Sequence, residues 1–67
     1  MSNSDLAALS SIAAQLDELQ TRITTMAEGY GTTPDSAIAA DLYSVERALL
    51  TAARALQRAS ANLAPRP

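Results

Sequence analysis

The chain has 67 residues and a net charge of −2, its hydrophobic share is 48%, and it contains no Cys, His or Lys. At this size a single core is marginal unless a disulfide, a metal or a second copy supports it. The chain has no Cys or His, which excludes a disulfide and the usual zinc ligands. Oligomerisation is the remaining way to complete the core. The acidic balance argues against nucleic acid or an anionic membrane as the main partner, and no apolar run approaches the ~18 residues of a membrane span.

Residues 1–4 predict a short tail rather than a targeting segment. Met1-Ser2-Asn3-Ser4 has neither the basic nor the apolar region of a signal peptide, so we expect a soluble cytoplasmic protein. Ser4 can cap a following helix, with Asp5 favourable in its first turn. All five basic residues are Arg, and with the high alanine content this bias is typical of a GC-rich bacterial genome, such as an actinobacterium's.

The first predicted element is a helix over residues 5–28. From Leu9 its apolar residues step by three and four without interruption, the heptad pattern of a coiled coil with Leu9 at position a and Ile12 at position d. This apolar run consists of Leu9, Ile12, Leu16, Leu19, Ile23, Met26 and Tyr30. We expect it to form one side of a helix–helix core, with the Tyr30 ring covering its end.

Residues 29–33 predict the turn that follows. Gly29 or Gly31 is expected to adopt the positive-φ conformation that ends a helix. Thr33 is typical of the cap of the next helix, and Pro34 of its first position, where a missing N–H costs nothing. A phosphate-binding loop is disfavoured because the chain has no Lys.

The second predicted helix spans residues 34–62, and residues 63–67 form a C-terminal tail. Its apolar residues again step by four and three, with Leu42 at position a and Val45 at position d. The full run is Ile38, Leu42, Val45, Leu49, Ala52, Leu56, Ala59 and Leu63. The same period in both helices indicates that they pair with each other.

Because so few residues separate the two helices, they must fold back as an antiparallel hairpin similar to a coiled coil. Positions whose numbers sum to about 64 or 65 are then expected to face each other, so that Leu9 meets Leu56 and Arg22 lies beside Asp41, both at position g. The predicted hairpin core is Leu9, Ile12, Leu16, Leu19, Ile23, Met26, Tyr30, Ile38, Leu42, Val45, Leu49, Ala52 and Leu56. The fold class we expect is all-α.

The flanks of the predicted core carry alanine where a two-stranded coiled coil would carry charge, which widens the apolar face. Helix two also has a second apolar stripe that an isolated hairpin would leave in water. The predicted oligomer interface is Ala8, Ala13, Ala27, Ala39, Tyr43, Leu50, Ala53 and Ala55. We therefore expect two hairpins to associate as a homodimeric four-helix bundle.

The residue types disfavour an enzyme. Without His, Cys or Lys the chain lacks the commonest general bases, thiol nucleophiles and Schiff-base formers, and Asp17 and Glu18 are adjacent on the outer side of their helix. We predict no catalytic, cofactor-binding or metal site and no small-molecule substrate.

The function we expect is a small non-catalytic oligomerisation and protein-interaction module, acting on itself and on another protein through its helix faces. Arg47, Arg54 and Arg58 form a stripe along helix two that is a candidate partner surface. The architecture also resembles that of small dimeric RNA-binding helical hairpins, so the alternative is a nucleic-acid-binding regulator that uses the same arginines.

Overall fold

The computed structural model describes residues 3–31 and 36–64, which form two long helices. Helix α1 runs over Asn3–Tyr30 and helix α2 over Ser36–Leu63, and the two pack against each other. Only residues 32–35 connect the described segments, so the helices must run antiparallel. The described residues contain no strand. The prediction of an all-α two-helix hairpin is confirmed.

Helix α1 is longer than the predicted range at both ends, which corrects the predicted cap and turn. Ser4 lies inside the helix rather than ahead of it, and Gly29 is a helical residue rather than a turn residue. The Gly31 N–H donates to the Ala27 carbonyl oxygen at 3.0 Å, which continues the helical hydrogen-bond pattern one residue further. No described glycine has a positive φ. The helix therefore reaches the bend without a left-handed terminating residue.

Helix α2 ends slightly later than predicted. It extends through Leu63, and the Ala64 N–H still donates to the Ser60 carbonyl oxygen at 3.0 Å. The predicted cap residue Thr33 and helix-opening Pro34 lie outside the described residues.

Threonines within the helices satisfy their hydroxyl groups locally. The Thr25 hydroxyl donates to the carbonyl of Thr21 at 3.0 Å, and the Thr51 hydroxyl donates to that of Arg47 at 3.1 Å. Each bond joins residues four apart on one helix, so these side chains are accommodated without breaking it.

The hairpin is a rod with almost no interior. Its radius of gyration is 15.6 Å and its principal extents are 54 × 15 × 13 Å, whereas a compact domain of this length has a radius of gyration of about 11 Å. Among the described residues only Ala27 and Ala39 are buried, and no large side chain is fully buried. Two helices alone do not enclose the apolar residues that this chain carries.

Gly29→Ala should stabilise the protein. Gly29 lies within α1, and a Cβ added there meets no atom within 4 Å. Alanine would restrict the unfolded chain without a clash, so we expect a gain of about 0.5–1 kcal/mol, a rise of a few degrees in Tm. Thermal unfolding followed by circular dichroism, at equal protein concentrations, measures it. A lower Tm would mean that Gly29 needs a conformation that alanine cannot adopt.

Candidate interaction surface

The contact between α1 and α2 runs along heptad positions a and e. At these positions the side chains are at least half-buried along most of each helix, in steps of three and four. The a/e seam in α1 contains Leu6, Leu9, Leu16, Gln20, Ile23 and Ala27. The a/e seam in α2 contains Ala39, Leu42, Glu46, Leu49, Ala53, Leu56, Ser60 and Leu63. The helices therefore meet along a line that differs from the predicted a/d line.

Each residue turns an α-helix by about 100°, so the a/e line lies about 50° around the helix from the a/d line. Alanines at e explain this rotation. Ala27 is 0% exposed and Ala39 is 4% exposed, which makes them the most buried described residues. A methyl group lets two helix backbones approach closely, whereas a leucine or methionine there would hold them apart. Ala53, also at e, is half-buried, and the recurrence of Ala at e in α2 is the sequence signal for this seam.

Five large side chains that were expected in the hairpin core are instead exposed, and all five occupy position d. They remain between 42% and 51% exposed. These residues are Ile12, Leu19, Met26, Ile38 and Val45. Ala52, also at d, is exposed as well, and Tyr30 at the end of α1 is 37% exposed. The physical reason is the rotation of the seam, which moves position d about 80° away from the line of contact.

The exposed d residues of the two helices lie on one side of the hairpin. In an antiparallel pair that meets through equivalent positions, the same heptad letter falls on the same side in both helices. We call this surface the d face, defined as Ile12, Leu19, Met26, Ile38, Val45 and Ala52. It is an apolar strip along most of the rod; toward the open end position d holds Ala59 and the charged Asp5. An exposed apolar strip of this kind is typical of an interaction site.

The opposite side of the hairpin carries the b positions and is more polar. Tyr43 and Leu50, expected to be free for an oligomer partner, are half-buried there. The Thr24 hydroxyl donates a hydrogen bond to the Glu46 carboxylate, which joins the two helices on this side. Both groups are half-buried polar members of the hairpin contact that the apolar heptad pattern did not reveal.

A groove of about 520 Å³ lies between the helices on this b side, toward the open end of the hairpin. Leu9 and Leu56, a predicted facing pair, both line it, together with Ala13 and Ala53. The lining also includes Asp17, so the groove is less uniformly apolar than the d face.

The remaining predicted surface residues are exposed. Ala8 and Ala55 lie at position g, on the flank of the d face. Arg47, Arg54 and Arg58 lie on the outer side of α2, and the Arg47 guanidinium donates to the Ser44 hydroxyl at 3.1 Å on the same helix. These arginines project away from both the seam and the d face.

Ala39→Leu should destabilise the hairpin, because a larger side chain at this buried position would push the helices apart. We expect a loss of about 1–3 kcal/mol, measured by urea unfolding at fixed protein concentration. Ala40→Leu is the matched control, since Ala40 is the next residue and is exposed. Equal stability of the two variants would contradict a close contact between the helices at Ala39.

Comparisons with known proteins assign no family to this chain. No protein-family model, curated protein or solved structure matches it. Over residues 3–31 and 36–64, no group of three or more potential metal ligands comes together, and neither helix combines the length and hydropathy that crossing a membrane requires.

Proposed function

We propose that this chain is a non-catalytic interaction module whose hairpin pairs with a second copy through the d face to form a four-helix bundle. The observation that carries the proposal is the exposure of five large apolar side chains, all at one heptad position on one side of the rod. Association would remove the exposed half of each side chain from water, which contributes roughly half of the ~1.5–3 kcal/mol of complete burial.

The rotation of the seam supports a bundle of four helices. In a square bundle each helix has two neighbours about 90° apart around its axis. Its contact with either neighbour therefore lies about 45° to one side of the centre of its apolar stripe. In an isolated pair the contact would coincide with the centre of the stripe. The observed offset of about 50° between the a/e and a/d lines therefore fits a helix that keeps half of its stripe for a further neighbour.

The exposed area is larger than that of a compact fold. The chain exposes 4925 Å², whereas a compact monomer of 7.0 kDa exposes about 4,000 Å². The elongated hairpin therefore leaves surface in water that a bundle could bury.

In such a bundle the outer surface of α2 would remain available to a different protein. Arg47, Arg54 and Arg58 are exposed there and lie away from the d face. Guanidinium groups are suited to bidentate contact with carboxylates, so an acidic surface on a protein partner fits this stripe. The net charge of −2 supports a protein rather than a nucleic acid in that role.

The association is tested by measuring the mass of the protein in solution at micromolar concentration. Twice the chain mass of 7.0 kDa gives an expected value of about 14 kDa by light scattering or sedimentation. A mass near 7.0 kDa with the helicity fully retained would contradict the proposal.

Ala52→Asp should convert the dimer to a monomer, or at least weaken its association strongly, because it places a charge within the d face. Ala40→Asp is the matched control: both alanines are exposed on α2, but Ala40 lies at the outward position f. For an isolated hairpin both changes would be nearly neutral. We expect only Ala52→Asp to lower the sedimenting mass, and the same mass for both variants would exclude the d face as the contact.

A further inference from the structure

Met26 is the most exposed of the large apolar side chains in residues 3–31 and 36–64. Its exposure is 51%, whereas the others that face water range from 37% to 43%. It is also the only sulfur-containing residue in these segments, because the chain has no Cys and its other methionine is Met1. An oxidant that meets the single hairpin therefore finds an exposed thioether at Met26 and no competing thiol anywhere in the sequence.

The position of Met26 separates it from the contact between α1 and α2. Position d lies about 80° around the helix from the a/e line. Ala27, the next residue, lies on that line and is 0% exposed. A polar atom added to the Met26 side chain would be hydrated in the single hairpin without entering the contact at Ala27. Oxidation is therefore expected to leave the two-helix fold intact.

The d face supplies no hydrogen-bond donor for an oxidised methionine. The other side chains that define it are all aliphatic, namely Ile12, Leu19, Ile38, Val45 and Ala52. The thioether of methionine packs well among such groups. The sulfoxide is polar, and burying a polar group that has no hydrogen-bond partner is unfavourable. One added oxygen thus changes residue 26 from a group that favours covering the d face to one that opposes it.

We propose that Met26 is a modification site at which a peroxide oxidises the thioether to the sulfoxide and thereby prevents two hairpins from pairing through the d face. This inference rests on the proposed function, because it assigns a means of regulation to the same surface. A dimer made of two oxidised chains would bury two sulfoxides, so both copies contribute to the loss of affinity.

The reaction is a two-electron oxidation of sulfur. A lone pair of the Met26 sulfur attacks one oxygen of hydrogen peroxide, the O–O bond breaks and an S–O bond forms. The proton of the transferred oxygen passes to the departing hydroxide, so that the products are the sulfoxide and one molecule of water. Methionine sulfoxide is reducible, which makes the modification reversible.

Pairing and oxidation compete for the same side chain. In the single hairpin the thioether is open to the oxidant, whereas in the proposed bundle the second copy covers it. At a chain concentration of about a hundred times the dissociation constant, fewer than about one chain in ten is a free hairpin, so Met26 should oxidise about tenfold more slowly than in dilute solution. A dissociated chain is thus the form that the oxidant captures.

The first experiment measures the dimer before and after treatment with hydrogen peroxide. We expect the sulfoxide to weaken self-association about tenfold or more, seen as a lower sedimenting mass. Digestion after arginine releases peptide 23–47, which contains Met26 but not Met1, so mass spectrometry assigns the added oxygen. Treatment with methionine sulfoxide reductases of both stereospecificities and a thiol reductant should restore the dimer. Circular dichroism should show the same helicity as Ala52→Asp, the unoxidised monomer.

Two variants supply the controls. Met26→Leu keeps an apolar side chain at position d but has no thioether there, so peroxide should leave its dimer unchanged. Adding Ala40→Met to Met26→Leu places a thioether at the exposed outward position f of α2, within the same peptide. We expect this methionine to be oxidised without any loss of dimer.

The second experiment compares oxidation rates in dilute and concentrated protein with peroxide in excess. We expect the rate at Met26 to fall about tenfold as the dimer forms. The rate at Ala40→Met, in the Met26→Leu background, should be the same at both concentrations. This contrast distinguishes cover by a second copy from a general effect of protein concentration.

The outcomes separate this inference from the proposed function. The modification site is overturned, and pairing through the d face is left standing, if the dimer persists with Met26 fully oxidised. The same holds if Met26 oxidises equally fast at both concentrations, or if the oxidised chain is less helical than Ala52→Asp. A wild type that is monomeric, or a dimer that Ala52→Asp does not weaken, overturns both proposals.

Discussion

The constraint on which this structure depends is that each helix carries an apolar stripe wider than one neighbouring helix can cover. Positions a, d and e all hold apolar residues over much of the chain. One contact covers a and e, and position d then faces water on one side of the rod. The thin core, the elongated shape and the exposed d face all follow from this mismatch between stripe width and number of neighbours.

Much of the fold was predictable from the sequence because it is encoded by local spacing. Steps of three and four from Leu9 to Tyr30 and from Ile38 to Leu63 specify two helices, and a short connection requires them to be antiparallel. The side of the stripe that faces the partner helix was not predictable in the same way. It depends on how closely two backbones approach, which Ala27 and Ala39 decide by their small size rather than by their hydrophobicity.

The corrected details have similar physical origins. Two glycines near a bend suggested a left-handed terminator, but the hydrogen bonding of α1 continues past Gly29 to Gly31, so no such residue is needed there. Arg22 and Asp41 were predicted to lie beside each other within one hairpin, but position g points about 140° away from the a/e line. The direction of a side chain depends on helix rotation, which a heptad assignment alone leaves open by about 50°. For the candidate surface, the heptad pattern thus identified the apolar residues, but not which of them the second helix leaves exposed.

The small side chains of Ala27 and Ala39 affect how the loss of conformational entropy is divided between hairpin closure and association. Alanine has no side-chain rotamers to lose, so closing the hairpin at Ala27 and Ala39 orders backbone but almost no side-chain torsions. The d face carries a further set of flexible side chains, including Met26 and Leu19, and these stay about half exposed in the single rod. In the proposed bundle the rest of their rotamer entropy is lost only at association. Hairpin closure therefore bears the backbone cost and the rotamer cost of the leucines in the a/e seam, and the rotamer cost of the d face is deferred to the encounter between copies.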